Sequence, residues 1–505
     1  MFSWMEVLSQ WQQGIVYPRW AALAHWGYGE ARFLFYPPAS WTLGAALGAI
    51  LPWKLVPGTY CWIALMLAGT SMYRLAREWL AARDALFAAA FYAVNPYHLV
   101  VVYWRSAYAE LLAAALLPLL LDTLLRLREP GGRPVLWLSM ILAAAWLTNA
   151  PAALMIHYSA AGLAVLLAAR ERSWRLLAGA GLAVVLGIGL ASFYLLPAIL
   201  EEKWINLGEV LALGVRPQDN FLFTTIADAD HNRFNWLLSY VALAEIVIIV
   251  LAIWRSYASR LKKEPFWLLL SAWGGATILL MFSVSNLFWQ YLPKFRYVQL
   301  PFRWLLCLNA ALALLLAMST RRWLIRALVT AALLAVLLMV GDGIQAPWWD
   351  NASDIREMSN AMSDGTGHEG IDEYVPAGAD PYEVNKDLAR ITDASGKAAA
   401  ARTIQWEPIA KHFVVQAPEP TTLTLRLFNY PAWQVTVNGR PVKTETADVT
   451  GQMIVPVTAG QNDVRIRFGR TPDRIIGDIV SIVSLILLLV SWTKTRPPSA
   501  ARATS

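Results

Sequence analysis

Apolar runs separated by short basic stretches dominate the chain from residue 38 to residue 341. They fall at 38–54, 57–74, 84–102, 107–126, 134–149, 151–169, 175–198, 234–254, 265–284, 301–319 and 322–341, with one more at 474–492. A helix needs about 20 apolar residues to cross roughly 30 Å of hydrocarbon, and most of these runs are near that length. The pattern predicts a polytopic α-helical membrane protein with about 11–12 hydrophobic segments and a final transmembrane helix over 474–492. Three regions depart from it. Residues 342–410 are rich in Asp, Gly, Ala and Ser and read as an irregular outer linker. Residues 411–473 alternate apolar and polar positions in "TTLTLRLF", "AWQVTVNG", "GQMIVPV" and "NDVRIRF", the period of half-buried strands. Asn438-Gly439 is a two-residue hairpin signal, so a β-sandwich-like domain is expected before the last span. Residues 1–37 follow neither period, mixing Tyr and Trp with Arg19, His25, Glu30 and Arg32. They read as an interfacial or outer-loop segment.

Composition agrees: 57% of the 505 residues are hydrophobic and 15% charged, against about a quarter charged in soluble domains. The net charge of +7 does not call for nucleic acid, because the cations sit in loops. Arg74, Arg77 and Arg83 form one cluster, Arg126, Arg128 and Arg133 the next, then Arg170, Arg172 and Arg175. Arg255, Arg260, Lys262 and Lys263 follow, then Arg321, Arg322 and Arg326, and last Lys494 and Arg496. Cytoplasmic loops carry the excess of Lys and Arg. Loops 103–106, 199–233 and 285–300 and the insert 342–473 are therefore expected outside, with 493–505 a cytoplasmic tail. A fully crossing 38–54 would put residues 1–37 inside, and a re-entrant 38–54 would put them outside; the second reading is taken. Cys61 and Cys307 lie in apolar segments and define no disulfide framework.

Ionisable groups at span ends are costly and mark function. Glu6, Arg19, His25, Glu30, Arg32 and Tyr36 form one group, which an aromatic belt at headgroup depth would also explain. Arg105 and Glu110 flank a turn between two spans; they fit either an ordinary loop pair or a guanidinium fork for phosphate. His157 lies two turns into a span, where a buried structural histidine is the alternative. Glu201, Glu202 and Lys203 precede Asp228-x-Asp230-His231, whose hard oxygens make a divalent cation a candidate cofactor beside the reading of a solvated loop. Lys294, Arg296 and Arg303 reach another span end. Glu245 and Asp122, inside spans, read as helix-packing groups. Walker A, Rossmann, HExxH and GxSxG patterns are absent, which sets aside ATP-driven transport and common hydrolase chemistry.

"GIVYPRW", "GYGEARFLFYPP", "YWRSAYAELLAAALLPLLL", "GIGLASFYLLPAILEE" and "QLPFRWLL" follow in that order. On them the chain resembles the 6-pyruvoyl-tetrahydropterin-synthase-related bacterial membrane proteins, which in turn resemble GT-C glycosyltransferases. The tail "NYPAWQVTVNGRPV" to "NDVRIRF" is similar to the end domain of YfhO-like membrane proteins. No clustered histidines with zinc-ligand spacing accompany the pterin-synthase label. The resemblance implies a GT-C-like bundle over 38–341 in the bacterial cytoplasmic membrane. It implies transfer of a sugar from a polyprenyl-phosphate donor to a glycan or protein acceptor on the outer face, with membrane lipid around the bundle. Non-enzymatic binding or transport of lipid-linked glycans, or an envelope scaffold, are the alternatives. An inverting transfer needs a carboxylate base and cations on the departing phosphate. The resemblance assigns Glu30 and Glu6 to the first role, and Arg19, Arg32, Arg105 and Arg303 to the second. Tyr36, Glu110, His157 and Glu201 are supporting groups. It also implies a first span and an acidic residue upstream of "YPRW". Met1 stands 16 residues before Tyr17, so the expectation is a chain that lacks that span.

Overall fold

The computed structural model describes residues 1–257, 264–346 and 350–494. Arg260, Lys262, Lys263, Arg496 and most of the expected tail lie outside the described residues. The chain divides into two compact units.

The first unit comprises Met1–Pro57, Phe193–Val210 and Asp350–Ile479. Its strands are β1 (Ile391–Thr392), β2 (Ala401–Glu407), β3 (Ala410–Ala417), β4 (Thr421–Phe428) and β5 (Trp433–Val437), then β6 (Arg440–Val442), β7 (Glu445–Thr446), β8 (Gln452–Val457) and β9 (Gly460–Phe468). They form two antiparallel sheets, ordered β1-β4-β8-β7 and β2-β3-β9-β5-β6. Inward side chains of both sheets, among them Phe413, Leu423, Val455 and Val464, share one core. The β5–β6 hairpin turns on Asn438 (φ 53°) and Gly439 (φ 75°), and two positive φ values are what a type I′ turn requires. Strands begin at 391 rather than 411, because β1 and β2 come from the segment read as linker, which also contains a helix, Ala352–Ser363.

Residues 1–37 are built into this unit. Helix α1 (Phe2–Gln12) leads to Trp20, which is fully buried. The indole packs against Tyr430, Trp433 and Phe468, with ring centroids 5.8, 5.4 and 5.6 Å away. Burying an aromatic side chain is worth about 1.5–3 kcal/mol, so the opening aromatics contribute to the β core. Helix α2 (Pro38–Gly48) has 11 residues. At 1.5 Å per residue it is too short to cross a bilayer.

The second unit is the helical bundle: Gly58–Ser192, Leu211–Trp349 and Val480 onward. Among the described residues eight helices are long and apolar enough to span: Trp53–Arg77, Ala82–Tyr103, Tyr108–Arg126, Ala150–Glu171, Ala229–Ser256, Pro301–Ser319, Trp323–Ile344 and Pro472–Lys494. Two bent pairs raise the number to ten, and Arg133–Thr148 is a shorter apolar helix. With the eight spans, the broken 38–54, the short 134–149 and the two bent runs account for the expected 11–12 hydrophobic segments. Pro301–Ser319 is the most enclosed helix, with 83% of its apolar window buried. Within the bundle Glu245 accepts a 2.8 Å hydrogen bond from Asn309 on that helix, and Asp122 pairs with Arg126 at 2.9 Å. Both act as packing groups.

Candidate functional site

In the helical unit the structure gathers three of the expected residues. Span Ala82–Tyr103 ends, and span Tyr108–Arg126 begins, on either side of a tight turn at Ser106 (φ 47°). That turn directs Arg105 back onto Glu110, with Nη1 to Oε2 at 2.9 Å. The start of Pro301–Ser319 supplies Arg303, whose Nε lies 3.3 Å from the same oxygen. The Tyr97 hydroxyl donates to Glu110 Oε1 at 2.5 Å and accepts from Arg105 Nη1 at 2.9 Å. Burial opposes charge on Arg105, yet the Glu110 carboxylate and Tyr97 raise its pKa. Two guanidiniums on one carboxylate leave this knot with one net positive charge, at the point where three span ends meet. His157 stands apart, its Nδ1 2.8 Å from the Ala153 carbonyl in its own helix.

The first unit holds a second knot. Glu30 is fully buried. It is ion-paired with Arg32, lies 3.0 Å from His25 Nε2, and accepts from the Ile371 N–H at 2.8 Å. Burial alone would raise its pKa; Arg32, His25 and that N–H together hold it below the usual carboxylate value. For Arg32 burial works downward, but Glu30 and Glu6 keep it above its usual value. Arg32 also donates to Ser3 Oγ at 2.7 Å. Glu6 accepts from the Leu23 N–H at 3.0 Å, and its other oxygen is 3.8 Å from His368 Nε2. His25 (φ 48°) and Trp26 (φ 54°) both have left-handed backbones, a conformation that costs non-glycine residues and recurs at functional sites. Gly370 makes room for it, since a Cβ there would overlap the His25 ring.

The remaining expected residues of this unit lie outside that knot. Arg19 stacks its guanidinium 4.7 Å from the Tyr17 ring, and burial lowers its pKa. The Tyr36 backbone N–H donates to the Arg32 carbonyl at 2.8 Å, and its own carbonyl accepts from Trp41. Glu201 is clamped by Arg474, Tyr430 and Thr471. In the helical unit, His231 Nε2 is 3.1 Å from the Asp219 carbonyl, while Asp228 caps its helix. Among the described residues no group of three or more His, Cys, Asp and Glu is placed to hold a metal ion. Reading the sequence missed His368, Tyr97 and Arg474 as partners. Tyr97 adjoins the "NPYH" turn, a local signal; His368 and Arg474 are hundreds of residues from Glu6 and Glu201.

These features define a multi-pass α-helical membrane protein with a β-sheet unit ahead of a final apolar helix. The chain belongs to the family described as "6-pyruvoyl-tetrahydropterin synthase related domain; membrane protein", which matches residues 33–346. No curated protein and no solved structure matches the chain.

Proposed function

We propose that the protein handles a polyprenyl-phosphate-linked sugar as a GT-C-like glycosyltransferase of the bacterial cytoplasmic membrane, passing the sugar to an envelope acceptor on the outer face. The supporting observation is the Arg105–Arg303–Glu110–Tyr97 knot, a fixed net cation where three span ends converge. A phosphate at a span end would take the bidentate geometry that guanidinium offers. Glu6 Oε2 has no hydrogen bond among the described residues, so Glu6 is the freer of the two candidate carboxylates in the first unit. Glu30 is a poor base, since Arg32 and His25 already hold its charge. That locking favours the second reading, in which the lipid-linked glycan is bound or moved without transfer.

Purified protein given labelled polyprenyl-phosphate sugar should bind it and consume it when acceptor is added. A charge-assisted hydrogen bond is worth about 1.5–3 kcal/mol, so Arg105→Ala should weaken donor binding roughly tenfold to a hundredfold. Wild type that binds but never consumes donor selects the second reading; absence of binding removes both. The orientation has its own check. A reporter fused near Gly451 should read as outside, and a cytoplasmic signal would invert every loop assignment.

A further inference from the structure

The first unit contains a cavity of about 220 Å³ that borders the Glu30 knot through Glu6 and is lined by neither Glu30 nor Glu110. One water needs roughly 10–15 Å³ of such space, so this is room for a small ligand. Helix α1 supplies acceptors. Glu6 is 2% exposed and Gln10 1% exposed, and Glu6 Oε2 and Gln10 Oε1 have no hydrogen-bond partner among the described residues. Gln10 is held in place through its amide nitrogen, which donates to the Trp20 carbonyl at 2.8 Å. Buried acceptors without donors cost about 1–3 kcal/mol each, a cost that ligand hydroxyls would remove.

The β sheets supply cations. Lys411 on β3, 3% exposed, and Arg426 on β4 line the cavity, as does Arg390 just before β1. Trp406 on β2 is near two of them, with the Arg390 guanidinium 5.7 Å and Lys411 Nζ 5.9 Å from its ring centre. Lys411 also sits 4.9 Å from the Trp433 ring, and its ammonium donates to the Pro408 carbonyl at 2.9 Å. Against the three cations stand the carboxylates of Glu6 and Glu407, also lining residues. The cavity keeps one net positive charge when Lys411 is protonated.

Indole faces, buried hydroxyl acceptors and guanidiniums together match one ligand chemistry. The C–H face of a pyranose packs on an indole, its hydroxyls donate to carboxylate and amide oxygens, and a carboxylate takes a charge-assisted bond from arginine. We propose that this cavity binds a single sugar carrying a carboxylate, of the hexuronic acid class. The proposal does not rest on the transfer reading, because the cavity has this chemistry whether the protein transfers a sugar or only binds one. Burial brings Lys411 to about 7, with Arg390 adding to the fall and Glu407 opposing it, so protonation of the amine accompanies binding of an acid near neutral pH.

The test is calorimetric titration of the full chain in nanodiscs with glucuronate, glucose and inorganic phosphate, without lipid-linked donor. Glucuronate should bind with proton uptake at pH 7.5, at least tenfold tighter than glucose or phosphate. Lys411→Met and Arg426→Gln should each weaken it tenfold or more. Arg390→Gln, a change at an exposed residue, should weaken it severalfold. Equal binding of glucose would show that the carboxylate is not read, and equal binding of phosphate would reduce the cavity to a bare anion site. Either result overturns the proposal, as does glucuronate binding unchanged in the Arg426 and Arg390 variants, or no binding by wild type. Donor consumption is measured separately, so failure of the transfer reading leaves this test intact.

Discussion

Glu201→Ala should destabilise the β-sheet unit by roughly 3–5 kcal/mol, the usual cost of stranding one partner of a buried ion pair. Glu201 and Arg474 have side chains 1% exposed each. Arg474 donates through Nε and Nη2 to the two carboxylate oxygens, both at 2.7 Å. Tyr430 adds a 2.6 Å bond and Thr471 a 3.0 Å bond. Alanine removes four acceptor contacts and leaves a guanidinium that still donates through Nη1 to the Gly469 carbonyl at 3.1 Å. The loss is large because solvent cannot reach the stranded charge. Replacing both partners with apolar residues of similar volume, Glu201→Leu with Arg474→Met, should recover most of it. Urea denaturation of the full chain in detergent, followed by susceptibility to protease within 350–470, reads both variants. A Glu201→Ala cost below about 1 kcal/mol would mean that the pair does not hold this unit together.

Glu201 also shows what the sequence could carry. The spans were legible because hydrocarbon imposes length and apolarity on each helix separately, and the later strands because alternation is a local signal. The Arg105–Glu110 pair was legible for the same reason: five residues and one turn separate its members. Arg303 could be picked out as a charge at a span end, but its meeting with Glu110 depends on how the helices pack. The Glu201–Arg474 clamp is likewise tertiary, with |i−j| = 273. The opening stretch looked foreign to a core because its partners, Tyr430, Trp433 and Phe468, come from the far end of the chain. Strand β2 was hidden by exposure: most of "ARTIQWE" is not buried, so no apolar period marks it. Arg426 occupies a polar position of the alternating "TTLTLRLF", while Lys411 shares the buried face of β3 with Phe413 and Val415; that both line a cavity with α1 follows only from the fold.

Lys411 gives the second large effect, a stability that depends on pH. Its folded pKa is about 7 against the usual 10.5, with burial the first cause, the Arg390 charge adding to it and Glu407 opposing. Between these values the unfolded chain holds a proton that the folded chain does not, so stability rises with pH from about 7 to about 10.5. Each pH unit is worth about 1.36 kcal/mol, and the window of about 3.5 units gives roughly 5 kcal/mol. Below pH 7 both states are protonated and this contribution is flat. Lys411→Met keeps the apolar stem that lies beside Trp433 and removes the titrating amine, so its stability should lack that rise. The difference between wild type and Lys411→Met cancels the other groups that titrate in the same range. It should therefore grow in favour of the variant as pH falls from 10 to 7. Saturating glucuronate should shrink the difference, because a carboxylate in the cavity stabilises the protonated amine and moves its pKa back up. Parallel curves for the two proteins between pH 7 and 10 would show that Lys411 keeps its proton in the folded state, its charge balanced within the cavity.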